Sequence, residues 1–172
     1  STSFQQWFPE KINNKDTANY ILDNGWNKPR DIVRLLIAGQ NDSLHCNDIA
    51  FTPAAFDSLR KEYSKNSLSE IRQELQSLYS SEEIELVVRL LRGGPQFTTA
   101  EEIRKRAAKG SIARTFWDKR QDDILEDFYR VGFWGNINRS SEHYLWRWNH
   151  KGDTGVLTGD RWELAIHPAL CS

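Results

Sequence analysis

Apolar residues recur at helical spacing through most of the chain, and strict alternation takes over only near its end. Glu82 to Leu91 carries Ile84, Leu86, Val87, Val88, Leu90 and Leu91, which predicts an apolar helix. A break follows at Gly93-Gly94-Pro95, then a short apolar piece, Gln96-Phe97-Thr98. Thr99-Ala100-Glu101-Glu102 is a helix start signal, and that helix is expected to run to about Lys109. A third helix is expected from about Asp122 to Arg130. Gly132-Phe133-Trp134-Gly135-Asn136-Ile137 and Tyr144-Leu145-Trp146-Arg147-Trp148 are two β-rich runs around a polar turn. Arg161 to Ile166 alternates enough to predict a last strand. Helix, short strand, helix, helix and hairpin is the order of a winged helix.

Upstream the pattern is helical. Phe4, Trp7 and Phe8 form an apolar opening expected to be pinned to the fold. Asp16 to Leu22 reads as a short helix closed by Asn24-Gly25. Pro29 suits a first helical turn, and Asp31 suits its positive end. The wide apolar face of Ile32, Val33, Leu35, Leu36 and Ile37 predicts a well-buried helix. Asn41 to Asn47 is a polar linker. Thr52-Pro53 starts a helix towards Tyr63, and Ser67 to Glu70 starts another with Ile71, Leu75 and Leu78 at helical spacing. The fold class expected is mainly α with a small β-hairpin or sheet, α+β overall. The boundary is placed near Tyr79-Ser80-Ser81. Residues 1–80 then form a helical subdomain and residues 81–172 a winged-helix-like domain.

The chain has 172 residues, 38% hydrophobic and 27% charged, which suits a globular protein with a real core. Its net charge of −1 excludes a surface that is cationic all over, but not a local patch. Cys46 and Cys171 lie far apart without a CxxC, so no disulfide framework is expected and the cytoplasm is the expected compartment. No apolar run has the length of a membrane span, and no signal peptide is read at the start. Ser1 opens a chain without methionine, from which a piece of something longer is expected.

No enzyme constellation emerges. The Gly152–Gly159 stretch lacks a following Lys-Ser or Lys-Thr and a following helix, so it reads as turns rather than a phosphate loop. His45 with Cys46, and His143 with His150, are pairs rather than a metal-ligand set, and no metal is expected. Nothing around Cys46 marks a nucleophile. Charge decides the nucleic-acid reading. The expected third helix, with its approach from Asp118, carries Lys119, Arg120 and Arg130 against five acids, and acids in a groove of phosphates are repelled. Ala100 to Arg114 is basic, with Arg104, Lys105, Arg106, Lys109 and Arg114 against Glu101 and Glu102. The wing adds Arg139 and Arg147. These seven are the candidate nucleic-acid or partner-binding residues. Tyr144, Trp146 and Trp148 share one face of the hairpin, and packing of that face on the helices is the expected use of it.

Lys28-Pro29-Arg30-Asp31, followed by an apolar helix, resembles the lid helix of bacterial AAA-like or STAND-type P-loop ATPases, which typically read Arg-Pro-Arg-Asp there. Tyr63-Ser64, the Gly-Phe-Trp-Gly start of the wing and the closing His167-Pro168-Ala169-Leu170 are similar too. The likeness covers nearly the whole chain through short motifs. It implies that residues 1–80 are the lid and residues 81–172 the winged helix of a larger ATPase whose nucleotide core, with ATP and magnesium, lies upstream. Arg30 would then be the nucleotide-sensing arginine, although Lys28 departs from the usual pattern. The resemblance implies a non-catalytic regulatory or protein-interaction module, as in bacterial defence switches, with the NTPase core or another protein as partner. A DNA-binding winged helix is the alternative.

Overall fold

The computed structural model describes residues 8–12, 14–24, 32–33, 36–37, 66–140 and 144–167. Arg30, His45, Cys46, the helix expected over 52–63, the Tyr63-Ser64 motif, His143, Cys171 and most of the closing motif lie outside the described residues. The chain divides into two compact units, Ser1–Ser67 and Leu68–Ser172. Each contributes helices and antiparallel strands, and the α+β reading holds.

In the first unit, β1 (Lys11–Ile12) and β2 (Lys15–Asp16) pair antiparallel. The turn between them holds Asn14 at φ 63°, a left-handed position that asparagine tolerates better than most residues. The ribbon leads into α1 (Thr17–Asn24). Asp16 Oδ1 accepts the Asn19 N–H at 3.1 Å, so a short acidic side chain satisfies a first-turn donor. Ile12, Tyr20 and Ile21 are buried together, with Phe8, Ile32 and Leu36 packed on them. Residues 32–33 and 36–37 are helical, as their periodicity predicts. Val33 and Ile37 are nevertheless exposed, so the buried stripe is narrower than the wide apolar face suggested.

The second unit starts within a helix described over 66–75, here α2. Ile71, Leu75 and Tyr79 belong to the second unit's core, which places α2 with the downstream elements rather than before the division. α3 (Ser81–Leu91) follows, with Ser80 and Glu83 forming a reciprocal capping box. β3 (Phe97–Thr98) leads to α4 (Ala100–Ala107), which Thr99 and Glu102 cap in the same way. Glu102 also accepts the Thr98 hydroxyl, and this bond and the Thr99 N–H hold its carboxyl below the usual glutamate range. A carboxyl lowered on folding supports the fold above its ordinary range. That support fades as pH falls through the lowered value.

α5 runs over Ser111–Arg130, beginning well before the expected Asp122. Its start is hidden in the sequence. Gly110 occupies the N-cap without a side-chain acceptor, and Thr115-Phe116-Trp117 has poor helix propensity. Burial of Trp117 overrides that propensity, and its indole N–H is satisfied by Gln121 Oε1 at 3.0 Å. A break at Arg120, φ −131° and ψ 18°, divides α5 into two segments.

β4 (Trp134–Asn138), β5 (Leu145–Arg147) and β6 (Glu163–Ile166) complete a four-stranded antiparallel sheet in the order β3-β6-β4-β5. The hairpin of the two β-rich runs forms as expected, with Ile137 opposite Trp146. The last strand lies between β3 and β4, so Ala165 faces Phe97 on one side and Gly135 on the other.

The sheet corrects one expectation. Trp134, Leu164 and Ile166 point to the helices and join their core. Successive residues of a strand alternate faces, and direct cross-strand partners share one. Ile137 and its partner Trp146 therefore lie on the opposite face, away from the helices. Trp148 is buried on that outer face, while Tyr144 and Trp146 are 61% and 40% exposed. Trp134, not the Tyr144–Trp148 set, is the indole that joins sheet to helices.

A candidate interaction surface on α3, α4 and α5

α4, the turn over 108–110 and the first segment of α5 bring the candidate cations of Ala100 to Arg114 together. Their side chains are largely engaged within the unit. Arg106 Nη1 donates to Leu90 O at 3.0 Å, tying α4 to the last turn of α3. Gly94 leaves room for this, since a Cβ there would stand 2.2 Å from Arg106 Nη1. Arg104 and Arg114 share Asp118, at 3.8 and 3.6 Å. Lys105 and Lys109 are exposed.

The hairpin cations Arg139 and Arg147 are also engaged, and they are not joined to the patch by any contact described. Arg139 grips the Glu163 carboxylate with two donors and lies 5.0 Å from the Phe97 ring centre. A pair of this kind ties β4's end to β6, 24 residues later. Arg147 Nε stands 3.6 Å from Asp153 Oδ1, and the other Asp153 oxygen accepts the Trp148 N–H at 3.1 Å. Asp153 thus shapes the turn after β5.

Arg106 distinguishes a structural cation from a binding one. Arg106→Ala should lower stability by about 1 kcal/mol, the usual worth of one such bond when it is partly solvated. Urea unfolding reads this directly, and a stability unchanged within error would return Arg106 to the binding set.

The acids of α5 have structural partners as well. Asp127 Oδ2 accepts the Tyr79 hydroxyl at 2.9 Å, and Oδ1 pairs with Arg130 at 3.1 Å. Burial, then the Asp127 bond, pushes the Tyr79 phenol far above its ordinary range, so it stays protonated and donates. Glu126 accepts the Val156 N–H at 3.0 Å and anchors the long segment between β5 and β6 to α5. Asp123 reaches Arg120, whose guanidinium lies 4.3 Å from the Tyr79 ring centre. These acids brace the fold, chiefly along the second segment of α5. The earlier count of an acidic third helix applies to that segment and not to the helix start.

The first segment exposes Ile112, Arg114, Thr115, Asp118 and Lys119. Beside it runs an open groove of about 600 Å³ between the start of α3 and α5. Leu86, Ile112 and Phe116 supply its apolar lining, and Ile112 is 74% exposed. Glu82 and Glu83 form one bank; Lys119 and Arg120 form the other. Sequence reading missed this site because it missed the start of α5. The Ile112–Phe116 spacing of four, next to Leu86 on a neighbouring helix, was the available signal.

Among the described residues there is no group of three or more His, Cys, Asp or Glu side chains placed to hold a metal, and no helix is long and apolar enough to cross a membrane. The chain matches no family model, no curated protein sequence and no solved structure. Its likeness to P-loop ATPases therefore rests on the short motifs alone.

Proposed function

We propose that residues 68–172 form a winged-helix module that contacts protein rather than DNA, and that it acts as the regulatory end of a larger nucleotide-hydrolysing protein. The order α3, β3, α4, α5, β4 and a returning strand that pairs beside β3 supports the winged-helix reading. In such a module α5's first segment takes the place of the reading helix, behind a short turn from α4. The observation that carries the protein reading is what stands there. An apolar groove opens beside that segment, while five of the seven candidate cations are engaged by Leu90, Asp118, Glu163 or Asp153. Phosphate binding draws on cations free to release counterions, and pairing within the fold competes with it. Apolar side chains beside a reading helix gain nothing from a phosphate backbone but can anchor a protein partner. ATP and magnesium would belong to the upstream core, and Arg30 would report on the nucleotide from the lid.

Two experiments divide the proposal. Anisotropy titration of a labelled random-sequence duplex at low salt should show no saturable binding. Binding that weakens steeply with added salt, and that Lys105→Glu with Lys109→Glu abolishes, would establish the DNA-binding alternative instead. The reading frame upstream of Ser1 should contain a Gly-rich loop ending in Lys-Ser or Lys-Thr. A start codon directly before Ser1 would overturn the nucleotide-hydrolysing half.

A further inference from the structure

The groove specifies more than a generic partner. Its apolar lining comes from Ile112 and Phe116, one helical turn apart on α5, and from Leu86 on α3. The α5 side extends from Ser111 to Arg120, roughly two and a half turns at 1.5 Å per residue. A groove of this length between two helices, with an apolar floor of Leu86, Ile112 and Phe116 and polar residues at its ends, suits a third helix laid along it, with its own apolar residues three and four apart. An extended strand would find no sheet edge here to pair with.

The banks constrain the occupant further. On the α3 side, Glu85 is taken up by Arg72 at 2.8 Å, with Arg89 and Arg92 nearby. Glu83 caps its helix and stands 3.6 Å from Arg120. Glu82 is exposed and lines the groove on the same bank. On the α5 side, Arg120 is spent on Glu83, Asp123 and the Tyr79 ring, which leaves Lys119 as the exposed positive charge. One bank therefore presents a carboxylate and the other an ammonium.

We infer that this groove receives an amphipathic helix of a protein partner, with apolar residues on Leu86, Ile112 and Phe116, a basic flank against Glu82 and an acidic flank against Lys119. The inference rests on the protein-contact reading above and names its partner chemistry. A uniformly basic or uniformly acidic helix would meet a like charge on one bank. The opposed banks also set the direction of the bound helix, because only one direction pairs both flanks.

The test is selection from a displayed library of helical peptides, against the full chain. Apolar residues are kept at i, i+4, i+7 and i+11, and the flanks are randomised. Enriched peptides should carry basic residues on one flank and acidic residues on the other. Ile112→Glu should weaken them at least tenfold. Ile112 is so exposed that this change leaves the core untouched, and circular dichroism checks the fold. Glu82→Lys should shift enrichment to peptides acidic on both flanks. Three outcomes overturn the inference: no enrichment over the Ile112→Glu chain, enrichment without flank charges, or sedimentation showing a dimer that Ile112→Glu dissolves, which would make a second copy the occupant. Duplex binding at low salt would instead sink the protein-contact reading itself. Peptide failure without duplex binding removes only the helix code.

Discussion

Trp134→Ala should destabilise the second unit by about 3–5 kcal/mol, the range for truncating a large buried aromatic. Trp134 is fully buried, stacks on Phe128 with ring centres 5.3 Å apart, and meets Phe133 edge-on at 5.4 Å. Its indole N–H donates to Leu125 O at 3.0 Å, so the ring is held by direction as well as by packing. The alanine variant loses the aromatic contacts and leaves a cavity between β4 and the second segment of α5. A loss of that size is comparable with the whole stability of a marginal domain, about 5 kcal/mol at the low end. Urea unfolding of the wild type, Trp134→Phe and Trp134→Ala measures the effect. The phenylalanine variant keeps most of the packing but not the N–H donor, and should lose much less. A change below about 1 kcal/mol for alanine would mean that Trp134 is not the sheet–helix anchor, because such burial cannot be that cheap to remove.

Gly135→Ala is expected to cost about 1–3 kcal/mol, an unusually large effect for adding one methyl group. A Cβ at this position would stand 2.5 Å from the Trp148 ring and 2.7 Å from Arg147 O. The ring has no free space to swing into, because Trp148 is buried. The carbonyl belongs to β5, paired with β4, and cannot retreat without opening the hairpin. The glycine is required here by the close approach of the neighbouring strand, not by its own backbone angles. A double-mutant cycle separates the two obstacles. Trp148→Ala relieves the clash with the ring and leaves the clash with the carbonyl. The coupled variant should therefore recover part of the loss from Gly135→Ala, and full recovery would show that the backbone contact is unimportant. Free tolerance of Gly135→Ala would contradict the pairing of β4 with β5.

Much of the second unit was legible because its signals are local. Thr99 and Glu102 are three residues apart, and a capping box needs nothing else. The break at Gly93-Gly94-Pro95 ended α3 where the apolar stripe ended. Two β-rich runs around a polar turn paired as neighbours in sequence usually do. The start of α5 was not legible, because Gly110 gives no cap and the residues that follow favour other conformations. What stabilises that start is burial of Trp117 and Phe116's edge contact with Tyr79 at 6.4 Å, both delivered by distant elements. The candidate cations were found as residue types, but the partners that engage five of them within the fold were not. Arg106 reaches back 16 residues to Leu90 and Arg139 forward 24 to Glu163. Charge counting along a window cannot see partners at those separations.

By itself the sequence determined the order of helices and strands in residues 81–172, the Thr99–Glu102 helix cap, the α+β class and the near-neutral overall charge. Those follow from chemistry within a few residues of each site. Tertiary structure alone decided that α2 packs with the downstream core and that β6 inserts between β3 and β4. It also decided that Trp134 rather than Trp146 faces the helices. Alternation says that a strand has two faces but not which one is covered, and an apolar helix face does not say which core receives it. The groove beside Ile112 belongs to the same class. It exists only because α3 and the unforeseen first segment of α5 lie side by side, with Glu82, Glu83 and Leu86 of α3 closing what α5 lines on its other side.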